Sequence, residues 1–190
     1  MKKIVIIDNY DSFTYNLLQL VEEVNHSEPV IMKNDLLDSD VLDNCDYLMI
    51  SPGPGLPDQS GKLMACLEKY YSEKKILGIC LGMQAIAELF GCKLRQLDRV
   101  FHGIETNIIS VNGGSPLFKG IQDGFKAGRY HSWVVEENQQ NPELIFDSTD
   151  SDGEVMSLRH WHYPVFGVQF HPESFMTPDG EKIIRNFLNL

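Results

Sequence analysis

Residues 76–90 read ILGICLGMQAIAELF, and this stretch decides the fold. Its first four residues are apolar without polar alternation, which is typical of a strand buried on both faces of a parallel sheet. The stretch from residue 81 onwards favours a helix, and Gly91 is a typical helix stop. Between the two, Gly78, Cys80 and Gly82 form the nucleophile-elbow pattern, with cysteine in place of serine.

An elbow of this kind predicts a reactive cysteine. The glycines allow a sharp turn that lifts the side chain of Cys80 clear of the sheet. The helix N-terminus at Cys80 favours a thiolate over a thiol, and the backbone N–H of Leu81 can donate to an oxyanion. A structural cysteine buried in a tight turn would give the same pattern, so the prediction also needs a base.

A base and an orienting group stand together near residue 171. His171 follows the alternating run 165–170, so it is expected at a strand end. Pro172 holds it extended, and Glu173 is close enough to accept from the imidazole and fix its tautomer. With Cys80 these residues supply a nucleophile, a base and an orienter. Without Cys80, the same pair would be interpreted as a solvated turn.

The strand–helix rhythm recurs before the elbow. Strands are predicted at 4–7, 29–32 and 47–50, with helices capped by Ser12 and Ser60. Alternating strands and helices imply βαβ units and a parallel sheet.

After Gly91 the rhythm changes to strands with few helices. Strand-like segments follow at 104–111, 125–130, 143–148, 154–159 and 165–170, and a last helix is predicted over 179–188. We therefore predict an α/β fold in one domain over 1–190. Its sheet is open, twisted and mostly parallel, flanked by helices, with an antiparallel extension or a small second sheet.

The loop 51–55, SPGPG, follows the third predicted strand. Gly53 keeps its N–H and lacks a side chain, so substrate can approach it, and it is a candidate second oxyanion donor. A phosphate loop is the alternative. It is disfavoured because Pro54 has no N–H and Leu63 stands where a Walker motif needs serine or threonine.

Composition excludes several classes of protein. The formal net charge of −11 argues against binding to nucleic acid or to an anionic membrane surface. No apolar run approaches the roughly 18 residues that a membrane span needs. The basic start is followed by apolar residues only to Ile7, too few for a secretory signal, so we expect a first strand and a cytoplasmic protein.

The remaining cysteines and histidines give weaker signals. The four cysteines match no zinc module, and those other than Cys80 are expected to be small buried residues. His160 and His162 can share a strand face, but no further metal ligands accompany them, so a structural or interface role is expected. His131 is polar among apolar residues, which suggests a pocket wall, with core packing as the alternative.

Taken together, the motifs resemble the class I, triad-type glutamine amidotransferases. They look most like the glutaminase subunits of anthranilate synthase and of aminodeoxychorismate synthase. The resemblance covers essentially the whole chain and is carried by the segments 8–14, 51–55, 78–84, 129–132 and 167–174. Met83 and Phe101 depart from it, since relatives often have histidine and methionine there.

The resemblance implies roles for individual residues. Cys80 attacks the side-chain amide of L-glutamine and forms a γ-glutamyl thioester. His171 takes the proton of the thiol and returns it to the departing ammonia, and Glu173 orients His171. The N–H groups of Gly53 and Leu81 hold the oxyanion. Contacts to glutamine are implied for Gly53, Pro54, Gly55, Leu81, Gln84, Ser132 and Trp133.

The resemblance also implies a partner. In the family, a large synthase subunit binds chorismate and magnesium and receives the ammonia, and the small subunit holds no cofactor of its own. Candidate residues for sensing this partner are Tyr10, Ser12, Phe13, His102 and Gly103.

Other interpretations stay open. The product could serve tryptophan synthesis through anthranilate, folate synthesis through aminodeoxychorismate, or both. The same hydrolase could feed a different synthetase, or act alone on γ-glutamyl peptides. A non-catalytic binding module is disfavoured, because it has no need of Cys80, His171 and Glu173 together.

Overall fold

The computed structural model describes residues 2–136 and 142–190. The strands in these ranges are β1 (Ile4–Asp8), β2 (Val30–Lys33), β3 (Tyr47–Ile50), β4 (Lys75–Ile79), β5 (Leu94–Gln96), β6 (Ile104–Ser110), β7 (Phe125–Arg129), β8 (Trp133–Val135), β9 (Leu144–Thr149), β10 (Val155–His160) and β11 (Val165–Val168). The α-helices are α1 (Thr14–Asn25), α2 (Ser39–Asp43), α3 (Leu63–Tyr70), α4 (Leu81–Leu89) and α5 (Gly180–Leu188).

One large sheet organises the described residues. Its strand order is β2-β1-β3-β4-β11-β10-β9-β6-β7. The first five strands in this order pair in parallel, and the others pair antiparallel. β5 and β8 form a separate antiparallel pair. The predicted mostly parallel sheet, its antiparallel extension and the small second sheet are therefore confirmed.

The parallel strands are apolar on both faces because helices cover both faces. Ile4 and Ile6 belong to the core cluster that contains the apolar residues of α1 and α5. Val5 and Ile7 belong to the opposite cluster, which contains those of α3 and α4. Side chains alternate between the faces of a strand, so an uninterrupted apolar run is what a sheet covered on both sides requires.

Both predicted helix caps are wrong. α1 begins at Thr14 without a side-chain cap from Ser12. The carboxylate of Asp8 instead accepts from the backbone N–H of Tyr10 and from the hydroxyl of Thr14, which fixes the turn before the helix. Ser60 donates its hydroxyl to the carbonyl of Leu56, and α3 starts three residues later.

Three short elements were not predicted from the sequence, namely α2, β5 and β8. The side chain of Asp38 caps the N-terminus of α2. The strands β5 and β8 are stabilised by pairing with each other. No helix in the described ranges is long and apolar enough to cross a membrane.

The first residue of α5 packs against the loop that carries His171. A Cβ atom added to Gly180 would lie 1.8 Å from the carbonyl oxygen of Pro172. Backbone atoms cannot rotate away from such a clash, so this position accepts glycine alone without movement of the loop.

Gly180→Ala is therefore expected to destabilise the protein by about 1–3 kcal/mol, the usual effect of overpacking. Helix propensity alone predicts the opposite sign, a gain of about 0.5–1 kcal/mol. The free energy of unfolding, measured by urea denaturation, shows which of the two effects is larger. Glu181→Ala, on the exposed side of the same turn, is the control and should change the free energy of unfolding by less than about 0.5 kcal/mol. A stabilised Gly180→Ala protein would contradict the packing.

Candidate active site

Cys80 occupies a strained turn between β4 and α4. Its φ and ψ angles are 52° and −102°, a conformation that non-glycine residues rarely adopt. The close packing explains how the turn is held. A Cβ atom on Gly78 would lie 2.4 Å from the carbonyl carbon of Gly82, and one on Gly82 would lie 2.7 Å from the carbonyl oxygen of Ile50. The two glycines thus allow the close approach that the elbow pattern predicts.

The sulfur is buried but borders a cavity. Cys80 is 6% exposed and lines a space of about 170 Å³. The other lining residues are Gly53, Pro54, Gly55, Gln84, Val100, Phe101, His102, Tyr130, His131, Ser132 and Trp133. Leu81 is not among them. All the other residues that the resemblance implies as glutamine contacts therefore share one cavity with Cys80.

His171 reaches the site because β11 pairs in parallel with β4. Val168 is in register with Ile79, and the backbone N–H of Cys80 donates to the carbonyl of Val168 at 2.8 Å. His171 follows three residues later and donates its backbone N–H to Gly128. Adjacent parallel strands carry their C-terminal loops to the same edge of the sheet, so the nucleophile and the candidate base lie side by side.

The imidazole of His171 is paired with a carboxylate. Its Nδ1 lies 2.7 Å from Oε1 of Glu173, and both side chains are almost fully buried. Burial lowers the pKa of His171. The negative charge of Glu173 and the hydrogen bonds of the ring with Cys80 and Glu173 outweigh burial and raise the pKa to about 10. Within the described residues Nε2 has no partner besides the sulfur of Cys80, so it is available for proton transfer. The predicted His171–Glu173 pair is present.

Gly53 lies beside Leu81, as two donors to one oxyanion would require. A Cβ atom on Gly53 would lie 2.5 Å from Cδ2 of Leu81 and 2.5 Å from Cβ of Asn9. Asn9 also fixes the start of this loop, since its side-chain amide donates to the carbonyl of Ser51 at 2.8 Å. Asn34 in turn donates to Oδ1 of Asn9 at 3.0 Å. This bracing by Asn9 and Asn34 was not predicted from the sequence.

Gln84 and Trp133 meet across the cavity wall. The side-chain amide of Gln84 donates to the carbonyl of Trp133 at 2.9 Å and to Oε1 of Gln169 at 3.1 Å. Pairing of β8 with β5 holds Trp133 opposite Gln96, and Leu97 donates to the carbonyl of Ser132. The small second sheet thus positions this part of the wall.

His131 is a neutral member of the wall. Burial, and then the positive charge of Arg129, lower its pKa to about 3. Nε2 of His131 lies 3.0 Å from Nε of Arg129, which always donates, so the proton of the ring is on Nδ1. Arg129 is itself buried, ion-paired with Asp150 and stacked on the ring of Phe101. The position of His131 in the pocket wall is confirmed.

Two candidate partner-sensing residues, Phe13 and His102, connect to the imidazole of His171 through aromatic rings. Phe13 packs edge-on against His171 directly, with ring centroids 5.0 Å apart. His102 packs against Tyr130, whose ring packs edge-on against His171 with centroids 4.8 Å apart. Tyr10 is half exposed and left-handed, with φ of 62°, and its hydroxyl donates to Asp35.

Outside the cavity, His160 and the other cysteines are structural. Nδ1 of His160 accepts from the backbone N–H groups of His162 and Tyr163. In the described ranges no group of three acidic, cysteine or histidine side chains is arranged to hold a metal ion. Burial raises the pKa of Cys66 to about 12 and also raises that of Cys45, so both remain thiols at neutral pH.

Several residues of the site were missed by the sequence prediction. Asn9, Arg129 and Gln169 lie inside the segments that carried the resemblance, but single polar residues in strands and turns give no pattern of their own. Asp150 lies in none of those segments. Its role depends on a contact with Arg129 across 21 residues.

Comparison with known proteins identifies the class to which this fold and site belong. The family model of class-I glutamine amidotransferases matches residues 5–190, and the chain belongs to that family. The resemblance deduced from the motifs is confirmed.

The chain is similar to anthranilate synthase component 2 of Saccharolobus solfataricus, with 46% identity over 97% of each chain. It is 39% identical to aminodeoxychorismate/anthranilate synthase component 2 of Bacillus subtilis, covering 97% of this chain and 95% of that protein. It spans only 32% of the bifunctional protein TrpGD of Thermotoga maritima, at 40% identity. A crystal structure from Thermoplasma acidophilum, described as that of a GMP synthase subunit, superposes with a TM-score of 0.86 at 27% identity, covering 100% of this chain and 93% of that one.

The two buried histidines should titrate at opposite ends of the pH range. In ¹⁵N-histidine NMR spectra, His171 should lose its proton near pH 10, and His131 should stay neutral, with its proton on Nδ1, down to about pH 3. Glu173→Gln removes the negative charge that favours the imidazolium, so the titration of His171 should move down by at least about one pH unit. An unchanged titration in Glu173→Gln would contradict the proposed pairing, and His131 serves as the internal control.

Proposed function

We propose that this protein is a glutaminase in which Cys80 is the nucleophile, His171 the proton carrier and Glu173 the group that orients and charges His171. The observation that carries the proposal is a row of three side chains: Cys80 borders the cavity, His171 interacts with Cys80, and Nδ1 of His171 is paired with Glu173. Membership of the class-I amidotransferase family supports the choice of a glutamine side-chain amide as substrate.

The raised pKa of His171 favours the imidazolium, and in the proposed reaction this imidazolium accompanies Cys80 as a thiolate. The thiolate of Cys80 attacks the carbonyl carbon of the side-chain amide, and the N–H groups of Gly53 and Leu81 receive the oxyanion. As the carbon–nitrogen bond breaks, Nε2 of His171 passes its proton to the departing nitrogen, which leaves as ammonia. Water then attacks the γ-glutamyl thioester and returns a proton to His171, and glutamate leaves as the thiolate is restored.

Side chains and backbone of the cavity wall would hold the amino-acid end of glutamine. The residues that line the cavity together with Cys80 include Gln84, Ser132, Trp133, Pro54 and Gly55. Their fixed positions favour one orientation of the substrate, with the amide at Cys80.

The proposed acceptor of the ammonia is a chorismate-binding synthase subunit. Relatives named anthranilate synthase component 2 and aminodeoxychorismate/anthranilate synthase component 2 support a partner of this class. At neutral pH free ammonia is mostly ammonium, a poor nucleophile, so direct transfer between subunits has a chemical purpose. Magnesium is assigned to the partner and no cofactor to this chain. The cytoplasm, where cysteines stay reduced, is the expected compartment.

Cys80→Ser and Cys80→Ala should abolish synthesis that depends on glutamine, by at least about 10³-fold, because the covalent step is lost. Synthesis from added ammonium should survive in the same complex, since the synthase subunit is intact. The assay reconstitutes this chain with candidate large subunits, chorismate, magnesium and either nitrogen source, and identifies the product by mass.

Cys66→Ala is the matched control, because Cys66 is buried away from the cavity in the opposite core cluster. It should retain glutamine-dependent synthesis. Retained activity in Cys80→Ser would refute the nucleophile, and strong hydrolysis of γ-glutamyl peptides without any stimulation by a synthase would favour a stand-alone hydrolase. Anthranilate or aminodeoxychorismate as the product distinguishes the two branches.

The proposed partner face lies around Tyr10, Ser12, Phe13, His102 and Gly103. Its exposed tyrosine provides a test: Tyr10→Ala should reduce stimulation of glutaminase activity by the synthase several-fold, while basal activity changes little. Trp161→Ala, which removes an exposed aromatic side chain at the opposite end of the sheet, is the control. Equal stimulation of both variants would remove Tyr10 from the partner face.

A further inference from the structure

Gln169 is a buried polar residue beside the nucleophile that the mechanism above does not use. It follows β11, has no exposed surface, and places Nε2 of its side chain 3.4 Å from Sγ of Cys80. The amide is planar and can be placed with either end toward the sulfur, so its orientation has to be settled by its other contacts.

The orientation is settled at the backbone carbonyl of Trp133, which accepts from both His131 and Gln84. A guanidinium group can only donate, so Nε2 of His131 must accept, and Nδ1 carries the ring proton. That proton is donated to the carbonyl of Trp133 at 2.9 Å. His131 and Gln84 thus both donate to this one carbonyl, which can only accept.

The amide of Gln84 is oriented by the same carbonyl. The carbonyl of Trp133 can only accept, so the end of the Gln84 amide that faces it, 2.9 Å away, must be the nitrogen. The same nitrogen lies 3.1 Å from the amide of Gln169, whose facing atom must then be Oε1. The NH₂ group of Gln169 is thereby turned toward the sulfur of Cys80.

We propose that Gln169 is a further catalytic residue, whose side-chain N–H donates to the sulfur of Cys80 and stabilises it as a thiolate. The inference rests on the proposed role of Cys80 as the nucleophile and concerns how that nucleophile is kept charged.

An amide donor suits this task for a chemical reason. A thiolate accepts hydrogen bonds more strongly than a thiol or a thioester does, so the contact favours the reactive form. An amide does not give up its proton at physiological pH, so Gln169 does not compete with His171 as the source of the proton for ammonia. Charge stabilisation and proton transfer are thus divided between two side chains.

The test is a titration of the thiolate in the isolated protein, without glutamine or a synthase. Absorbance at 240 nm is followed against pH, and the Cys80→Ser protein provides the baseline that removes tyrosines and the other cysteines. Gln169→Met keeps the approximate volume but removes the donor, so the midpoint for Cys80 should rise by about one pH unit, equivalent to a tenfold loss of thiolate below the midpoint. Gln169→Glu, which is isosteric, should raise it further because a carboxylate repels a thiolate.

Rates of alkylation of Cys80 by iodoacetamide, located by mass spectrometry, should show the same shifts. Gln19→Met and Gln19→Glu, on the exposed face of α1, are the matched controls and should leave the midpoint unchanged. A midpoint in Gln169→Met and Gln169→Glu equal to that of the unaltered protein would overturn the inference, even if thermal stability falls, because a purely structural role predicts only that fall. If Gln169→Met does not fold, Gln169→Leu, which also removes the donor without adding a charge, replaces it as the deciding variant.

The outcome is separable from that of the proposed function. Unshifted midpoints together with inactive Cys80→Ser would refute the role of Gln169 and leave the glutaminase intact. Active Cys80→Ser would refute the nucleophile itself.

Discussion

The parallel pairing of β4 with β11 is the constraint on which the site depends. One backbone hydrogen bond, from Cys80 to Val168 at 2.8 Å, aligns the two strand ends at the edge where the elbow and the His171 loop begin. These strands are separated by more than 80 residues in the chain, so their adjacency is a property of the whole sheet. A shift of the register by one residue would reverse the faces on which Ile76 and Leu77 are buried, and the two apolar cores therefore protect the catalytic geometry.

Close packing around glycines fixes the positions of the loops that carry the site, which the pairing of the strands alone does not fix. Gly82 lets the elbow lie against Ile50 of β3, and Gly53 lets the next loop lie against Asn9 and Leu81. In each case the space for a Cβ atom is filled by neighbouring atoms. The loops are held because they have no room to move, which is how a nucleophile can be kept in a strained backbone conformation.

The sequence predicts those features that have a repeating pattern or a characteristic spacing. The apolar runs predicted the strands of the sheet, and the glycines around Cys80 predicted its elbow. The caps at Ser12 and Ser60 were wrong because a competing tertiary contact, that of Asp8, and a local bond to the carbonyl of Leu56 decided those turns. Gln169 could not be predicted, because its proposed function depends on the orientation of one amide, which Gln84 and the backbone carbonyl of Trp133 determine.

The site also contains two buried histidines whose pKa values are shifted in opposite directions. The charge of Glu173 raises the pKa of His171 to about 10 against the effect of burial, whereas burial, and then the charge of Arg129, lowers the pKa of His131 to about 3. The imidazolium can deliver a proton to a leaving group, whereas the neutral ring of His131 donates to the carbonyl of Trp133, which also accepts from Gln84. Burying Arg129 is costly, but its pairing with Asp150 and its stacking on Phe101 offset that cost. The buried charge of Arg129 thus sets the tautomer of His131, while the carbonyl of Trp133 sets the orientation of Gln84 and, through it, that of the Gln169 amide beside the sulfur of Cys80.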